Sequence, residues 1–313
     1  LLAKGDPDEK AQRRLAKEMD MNYRSVVGEL TYAMITCRPD IAYAVVKLAQ
    51  ANTCPSKDHY LAAQHCMRYL HETRSDGIYY WRSTSRADLA EVPVPDRKST
   101  PQSRLDDGRP EHSGTDLHCF VDSDWATDPL TRRSFTGICL RFAGGTIGYK
   151  TRFQPTVALS STEAEFMAAC DAGKMLLYVR SILYDLGIPQ DAASVIYEDN
   201  DGATAMANAK KPTTRTRHMD IRYFALCDWV ERDLVILERV DTSQNLADHF
   251  TKRLDWVKFA CHNDYIMGRA PPPHSPKYCP GETSDVAAKL IMKLAQIQDP
   301  GPYEFYKECD FVW

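Results

Sequence analysis

Paired cysteines, a long apolar run and a strong charge of either sign are all missing from this chain. Its ten cysteines are dispersed and none stands in a CxxC pair. That argues against a disulfide framework and for reduced, mostly buried thiols of an intracellular protein, cytoplasmic or nuclear. Cys261, His262, His274 and Cys279 are the one grouping that invites zinc, but their spacing fits no familiar ligand pattern and three prolines intervene. No apolar run approaches a membrane span, and the opening LLAKGDPDEKAQRRLAKEMD is charged within a few residues, unlike a secretory leader. A net charge of -4 carries no global signature of a nucleic-acid binder, so such a role must rest on a local basic face.

What is present is 43% hydrophobic content over 313 residues, enough for two modest domains with a sizeable core. Residues 22–74 read as helical, broken at Arg38-Pro39; in KDHYLAAQHCMRYLHET, Tyr60, Ala63, Met67 and Leu70 recur at helical steps behind a Ser56 cap. From 82 to 115 the composition shifts to Ser, Pro, Arg and Asp with few large apolar residues, the pattern of a flexible linker.

Beyond it the periodicity changes. LHCFVDSD alternates, with Leu117, Cys119 and Val121 on one face, and SFTGICLRFAGG and TIGYKTRF flank Gly144-Gly145, so three antiparallel strands are expected. SSTEAEFMAACDAGKMLLYVRSILYDLGI repeats Phe166, Cys170, Gly173 and Leu177 at helical spacing and stops at Gly187 and Pro189. Ser160 with Glu163, and Thr162 with Glu165, both have capping-box spacing. SVIYED reads as a strand, DGATAMANA and TRHMDIRYFALCDWVERD as helices, DLVILERV as a final strand and SQNLADHFTKRL as a final helix. The order predicts an α/β fold, a mixed sheet with helices on its faces. A further helix is expected in SDVAAKLIMKLAQI of the tail.

Four carboxylates punctuate these elements: Asp122 in CFVDSDWA, Glu165 in SSTEAEFMAA, Asp199 in IYEDND and Asp248 in NLADHFTK. Mg²⁺ is a hard cation that takes oxygen ligands, so a phosphodiester-cleaving site needs several acids converging from different elements. Singly, each has a plainer reading. Asp124 lies on the same side of its strand as Asp122, so either could serve as ligand. A capping role suits Glu163 better than Glu165; Asp199 suits a helix N-cap, and Asp248 a solvated helix face. Arg132, Arg133, Arg141, Lys150 and Arg152 border the hairpin, and Lys210, Lys211, Arg215, Arg217, His218 and Arg222 open a later helix. Interleaved with Tyr149, Phe153 and Tyr223, they suit phosphate contacts along a duplex.

These motifs, in this order, resemble the C-terminal region of the Ty1/copia-type retrotransposon Pol polyprotein. The DxDWA, RRSxTG, QPTVALSSTEAE and DN elements over 116–260, continued by TRHMDIRYF and NLADHFTKRL, are similar to its ribonuclease H domain. YRSVVGELTYAMITCRPDIAYAVVKLAQANTCPSKDHYLAAQHCMRYLHET is similar to the segment after the reverse transcriptase palm. The resemblance implies a ribonuclease H-like, mixed five-stranded sheet with flanking helices, preceded by a small helical unit. The implied organisation is a thumb/connection-like remnant over 1–81, a linker over 82–115, the nuclease over 116–260 and a tail over 261–313.

By the same resemblance, Asp122, Glu165, Asp199 and Asp248 would bind two Mg²⁺ ions, with Mn²⁺ able to substitute, and cleave the RNA strand of an RNA:DNA hybrid. Asp122 would bridge both ions. Arg132, Arg133, Arg215 and Arg217 are the expected backbone contacts, and a reverse transcriptase polymerase domain is a further expected partner. No YVDD-type polymerase motif occurs, so polymerase activity is not expected. The mobile histidine that many ribonucleases H carry before the last Asp is missing from DTSQN; His249 follows that Asp instead. Two rival readings are a catalytically lapsed nucleic-acid-binding or scaffolding remnant, and an integrase-like strand-transfer enzyme built on three acids.

Overall fold

The computed structural model describes residues 2–80, 116–128, 131–143, 145–208 and 220–268. The expected linker over 82–115, the expected tail helix, and Arg215 and Arg217 lie outside these residues.

Four helices come first: α1 Glu9–Glu18, α2 Tyr23–Thr36, α3 Ala42–Ala49 and α4 Lys57–Glu72. The charged opening segment, read above only as unlike a leader, forms α1 because Asp8 caps it, accepting from Ala11 N. Arg38-Pro39 breaks α2 from α3 as expected, through a 3-10 turn at Pro39–Ile41. Tyr23, Val27, Leu30, Ile41, Val45, Leu48, Tyr60, Ala63 and Cys66 form a shared core for these helices.

Three antiparallel strands follow, β1 His118–Asp124, β2 Phe135–Phe142 and β3 Gly145–Phe153, then the long α5 Ser161–Asp185 and β4 Ser194–Glu198. After them come α6 Asp201–Asn208, α7 Asp220–Glu231, β5 Val235–Arg239, the single-turn α8 Asp248–Thr251 and α9 Trp256–Ile266. The strand order is β3-β2-β1-β4-β5, with β1 parallel to β4 and β4 parallel to β5. This is the expected mixed five-stranded sheet with helices on its faces. The β1/β4 pairing brings the carboxyl ends of two strands to one end of the sheet, beside the start of α5.

Each face of the sheet has its own core. Leu117, Cys119 and Val121 of β1 pack with Phe166, Cys170 and Leu176 of α5. Phe120, on the opposite face, packs with Tyr197, Phe250 and Tyr265, and Ala42 of α3 joins that same cluster. Ala42 of α3 and Met34 of α2 thus join α8 and α9 on the second face, and the described residues fall in one compact unit.

One expected helix is corrected. SQNLADHFTKRL does not form a single helix, because the Asn245 amide donates to Val121 O (2.9 Å) while its oxygen accepts from Ala247 N (3.1 Å). These bonds hold the chain to β1 in a turn. Only Asp248–Thr251 is helical, and Lys252 is already extended. The following helix, α9, runs across residue 260, where the nuclease segment was expected to close. No helix among the described residues is long and apolar enough to cross a membrane.

Candidate functional site

Asp122 stands in β1 opposite Gly137 of β2, on the face that α8 covers. Its side chain is buried, the Thr251 hydroxyl donates to Oδ2, and Lys252 Nζ lies 3.5 Å from Oδ1. Asp124, two residues on, reaches the strand's end, where it is half-buried and feels the charges of Lys252 and Lys47. Of the two, Asp122 is the one whose carboxylate oxygen lies with those of Glu165 and Asp199.

Glu165 reaches the site because α5 is anchored. The Gln154 amide donates to Ala164 O (2.8 Å), Thr136 Oγ1 (3.1 Å) and Ser123 Oγ (3.3 Å), joining the helix start to β1 and β2. Capping falls to the alternative pair: Ser160 Oγ accepts from Glu163 N (3.1 Å), and Glu163 accepts from Leu159 N (2.7 Å). Glu165 is left buried, with Oε2 lacking a hydrogen-bond partner among the described residues.

Asp199 follows β4 directly. The cap of α6 is supplied by Asn200, whose side chain accepts from Ala203 N (3.1 Å), so the Asp199 carboxylate is not spent on capping. One oxygen from each of Asp122, Glu165 and Asp199 lies within 4.8 Å of the others.

Asp248 is buried nearby but differently held. Lys258 Nζ donates to its Oδ2 (2.5 Å) and to Thr242 O (2.9 Å), and Lys252 Nζ lies 2.6 Å from Oδ1. It stands outside the three-acid group, close enough for its charge to act on Asp122. Sequence reasoning missed both lysines, although Lys252 follows Asp248 at i+4 and a helical pairing was readable there. It also missed Glu198, fully buried at the end of β4, whose Oε1 accepts from Asn200 N (3.0 Å).

Crowding acids away from water raises their proton affinity. Burial, then the negative charge of Asp248, pushes Asp122 up to about 7. Burial and the charges of Glu198 and Asp122 push Glu165 well above the usual carboxylate range. Glu198 is likewise held high by burial and by Asp199. Burial works against a charged Lys252, but Asp122 and Asp248 outweigh it and hold the ammonium above its ordinary value. The cluster is thus short of positive charge.

Arg132 and Arg133 are exposed on the β1–β2 loop, at the carboxylate end of the sheet, with Arg132 in the left-handed region at φ 55°. His249 turns away from the acids: it is buried and its Nε2 meets Asp40 O at 2.9 Å. His262 sits beneath the Asp241–Gln244 loop, its Nε2 3.1 Å from Ser243 O, and burial lowers its pKa to about 4.

No family model matches the chain. Among solved structures, it is similar to a ribonuclease H1 isolated from compost at 13% identity and TM-score 0.35, covering 44% of this chain and 93% of that one. It is 32% identical over 237 residues, 76% of the chain, to the retrovirus-related Pol polyprotein from transposon TNT 1-94 of Nicotiana tabacum. Against the corresponding polyprotein from transposon RE1 of Arabidopsis thaliana it is 30% identical over 251 residues, 80% of the chain. It spans 16% and 15% of the lengths of these two relatives. With the polyprotein motifs continuous through both the helical segment and the sheet, the chain belongs to the retrovirus-related Pol polyproteins of copia-type transposons.

Proposed function

We propose that this chain is a ribonuclease H: an endonuclease that hydrolyses the RNA strand of an RNA:DNA hybrid with divalent metal, Mg²⁺ in the first instance. The observation that carries the reading is the convergence of Asp122, Glu165 and Asp199, ligand oxygens within 4.8 Å, on a buried spot where Glu165 Oε2 has no partner. An all-carboxylate donor set suits a hard cation that keeps water or phosphate oxygen in its remaining positions. The residues present therefore fit the group the family implies.

Asp122, Glu165 and Asp199 would hold one ion directly, and Asp122 with Asp248 would take a second. Bound there, the metal supplies Lewis acidity at the scissile phosphate and lowers the pKa of water. The protein's own residues do the rest. Gln154 and Thr251 fix the orientations of the Glu165 helix and of Asp122, so the acids are preorganised rather than gathered on binding. Lys252 and Lys258 hold the Asp248 carboxylate in place, and Lys252 also lies beside Asp122. Arg132 and Arg133 contact the hybrid's phosphates, with Arg215 and Arg217 assigned the same role from sequence. Recognition of the RNA strand requires contacts to its 2′-hydroxyls.

A cleavage assay on hybrid, duplex DNA and duplex RNA, with and without Mg²⁺, tests this. Hybrid alone should be cut, only with metal, and Asp122→Asn should abolish cutting. Metal-dependent cleavage surviving in Asp122→Asn sinks the assignment. Hybrid binding without cleavage by the unaltered chain would instead identify a lapsed enzyme.

A further inference from the structure

β3 is an edge strand: it pairs with β2 on one side and, among the described residues, with no strand on the other. Edge strands leave the amide and carbonyl of every second residue without ladder partners. Natural sheets blunt such edges with bulges, charge or covering elements. Among the described residues only the start of β3 is covered, where Thr146 O accepts from the Tyr80 hydroxyl (2.8 Å).

Beyond it runs an open groove of about 460 Å³, lined continuously by residues 147–152 of β3 and by Met34, Ile35, Ala42 and Val46 of α2 and α3. The two flanks differ in chemistry. Odd-numbered residues of β3 face the helices of 1–80: the Tyr149 hydroxyl donates to Met34 O, and Ile147 is exposed beside that apolar ledge. Even-numbered residues face α5: a Cβ at Gly148 would lie 3.5 Å from Met175, and Lys150 and Arg152 reach Asp171 at 3.1 and 3.0 Å. Lys174 lies 4.0 Å from that same carboxylate, so three cations share one anion and the flank is left electropositive.

From this we infer that the β3 edge is a docking site for an extended peptide strand whose side chains alternate apolar and acidic. Its backbone would continue the ladder. Its apolar residues would lie over Met34, Ile35 and Val46, and its acids beside Lys150, Arg152 and Lys174. This is strand addition, in which main-chain hydrogen bonds give affinity and alternate pockets give specificity. A nucleic-acid backbone would use the cations, but it has no use for the apolar ledge or the free edge.

The test uses the full chain and an acetylated, amidated octapeptide alternating valine and glutamate, with the valine–lysine counterpart as control. The glutamate peptide should bind, the lysine peptide should not, and amide exchange should slow in residues 147–152. Ile35→Glu and Arg152→Glu, at exposed positions, should each weaken binding about tenfold, the loss of roughly one contact. Urea midpoints of both variants confirm folding, and if one fails to fold the two-peptide comparison on the unaltered chain still decides. Absence of binding, equal affinity for both peptides, or protection elsewhere overturns the inference. Protection of these amides by an RNA:DNA hybrid, with none from the peptide, overturns it too.

Discussion

Asp122 carries the largest consequence of any one residue, because its environment makes it costly before metal arrives. Its folded pKa of about 7 lies above the ordinary carboxylate value, with burial the first cause and the charge of Asp248 the second. The sign follows from linkage: between the unfolded and folded values the native state binds the proton more tightly, so stability falls as pH rises across that interval. Each pH unit there costs about 1.4 kcal/mol. Asp122→Asn removes the ionisation and keeps an oxygen for the Thr251 hydroxyl. Without metal, the variant should therefore unfold at higher temperature than the unaltered chain at pH 8, with the gap closing towards pH 4. Added Mg²⁺ should raise the midpoint of the unaltered chain and leave the variant near its metal-free value. Thermal melts at the two pH values, with and without Mg²⁺, read both effects; an Asn variant less stable at pH 8 contradicts the account. Strand periodicity left Asp122 and Asp124 equivalent, and in sequence only the family resemblance chose Asp122. Asp124 feels the charges of Lys252 and of Lys47, the latter a cation from more than seventy residues upstream that no local pattern announces.

At the scale of elements, the site depends on how closely α8 approaches the sheet. Gly137 of β2 sits opposite Asp122, and a Cβ there would lie 2.6 Å from Thr251 Cγ2 and 2.8 Å from Ala247 O, one of them backbone. A side chain at this position must push α8 away, taking with it both Asp248 and the hydroxyl that orients Asp122. Gly137→Ala should cost about 1–3 kcal/mol through overpacking, read as a lower urea midpoint. It should also weaken Mg²⁺ binding in calorimetry, whereas Gly28→Ala, where the added Cβ meets nothing within 4 Å, should do neither. Strands β1 to β5 and the long α5 were legible because period two and period 3.6 are strong there. The expected final helix was not. Asn245 spends both halves of its amide on β1 and on Ala247, and a side-chain bond formed across 124 residues leaves no trace in local propensity. From sequence Asp199 suited the helix N-cap, and only the path out of β4 gives that role to Asn200 and leaves Asp199 free.

For the whole molecule, the question is whether the helices of residues 1–80 are a passenger or part of the nuclease. Sequence suggested a separate unit, since the segment has its own helical periodicity and a polar stretch follows it. The contacts tie it to the site. Asp40 is buried and gripped by Arg38 Nη2 (2.7 Å) and the Tyr69 hydroxyl (2.7 Å), while Arg38 also donates to Thr73 O (3.0 Å). The carbonyl of that same Asp40 meets His249, the neighbour of Asp248. On the other side of the joint, Lys47 lies 4.0 Å above the ring of Phe135, at the first residue of β2. Arg38→Met strands a buried carboxylate, and breaking such a pair costs about 3–5 kcal/mol. Of the five tryptophans, Trp125, Trp229 and Trp256 lie in the sheet portion; Trp81, at the end of the helical segment, and Trp313 are replaced by Phe for the measurement. If the two portions fold as one, the urea transition followed by tryptophan fluorescence should shift down in Arg38→Met and remain a single step. Mg²⁺ binding should weaken with it, through Asp40 and His249. Arg13→Met, which breaks an exposed ion pair on α1, should leave both unchanged. A tryptophan transition unmoved by Arg38→Met would mean that the helices ride on the nuclease without supporting it.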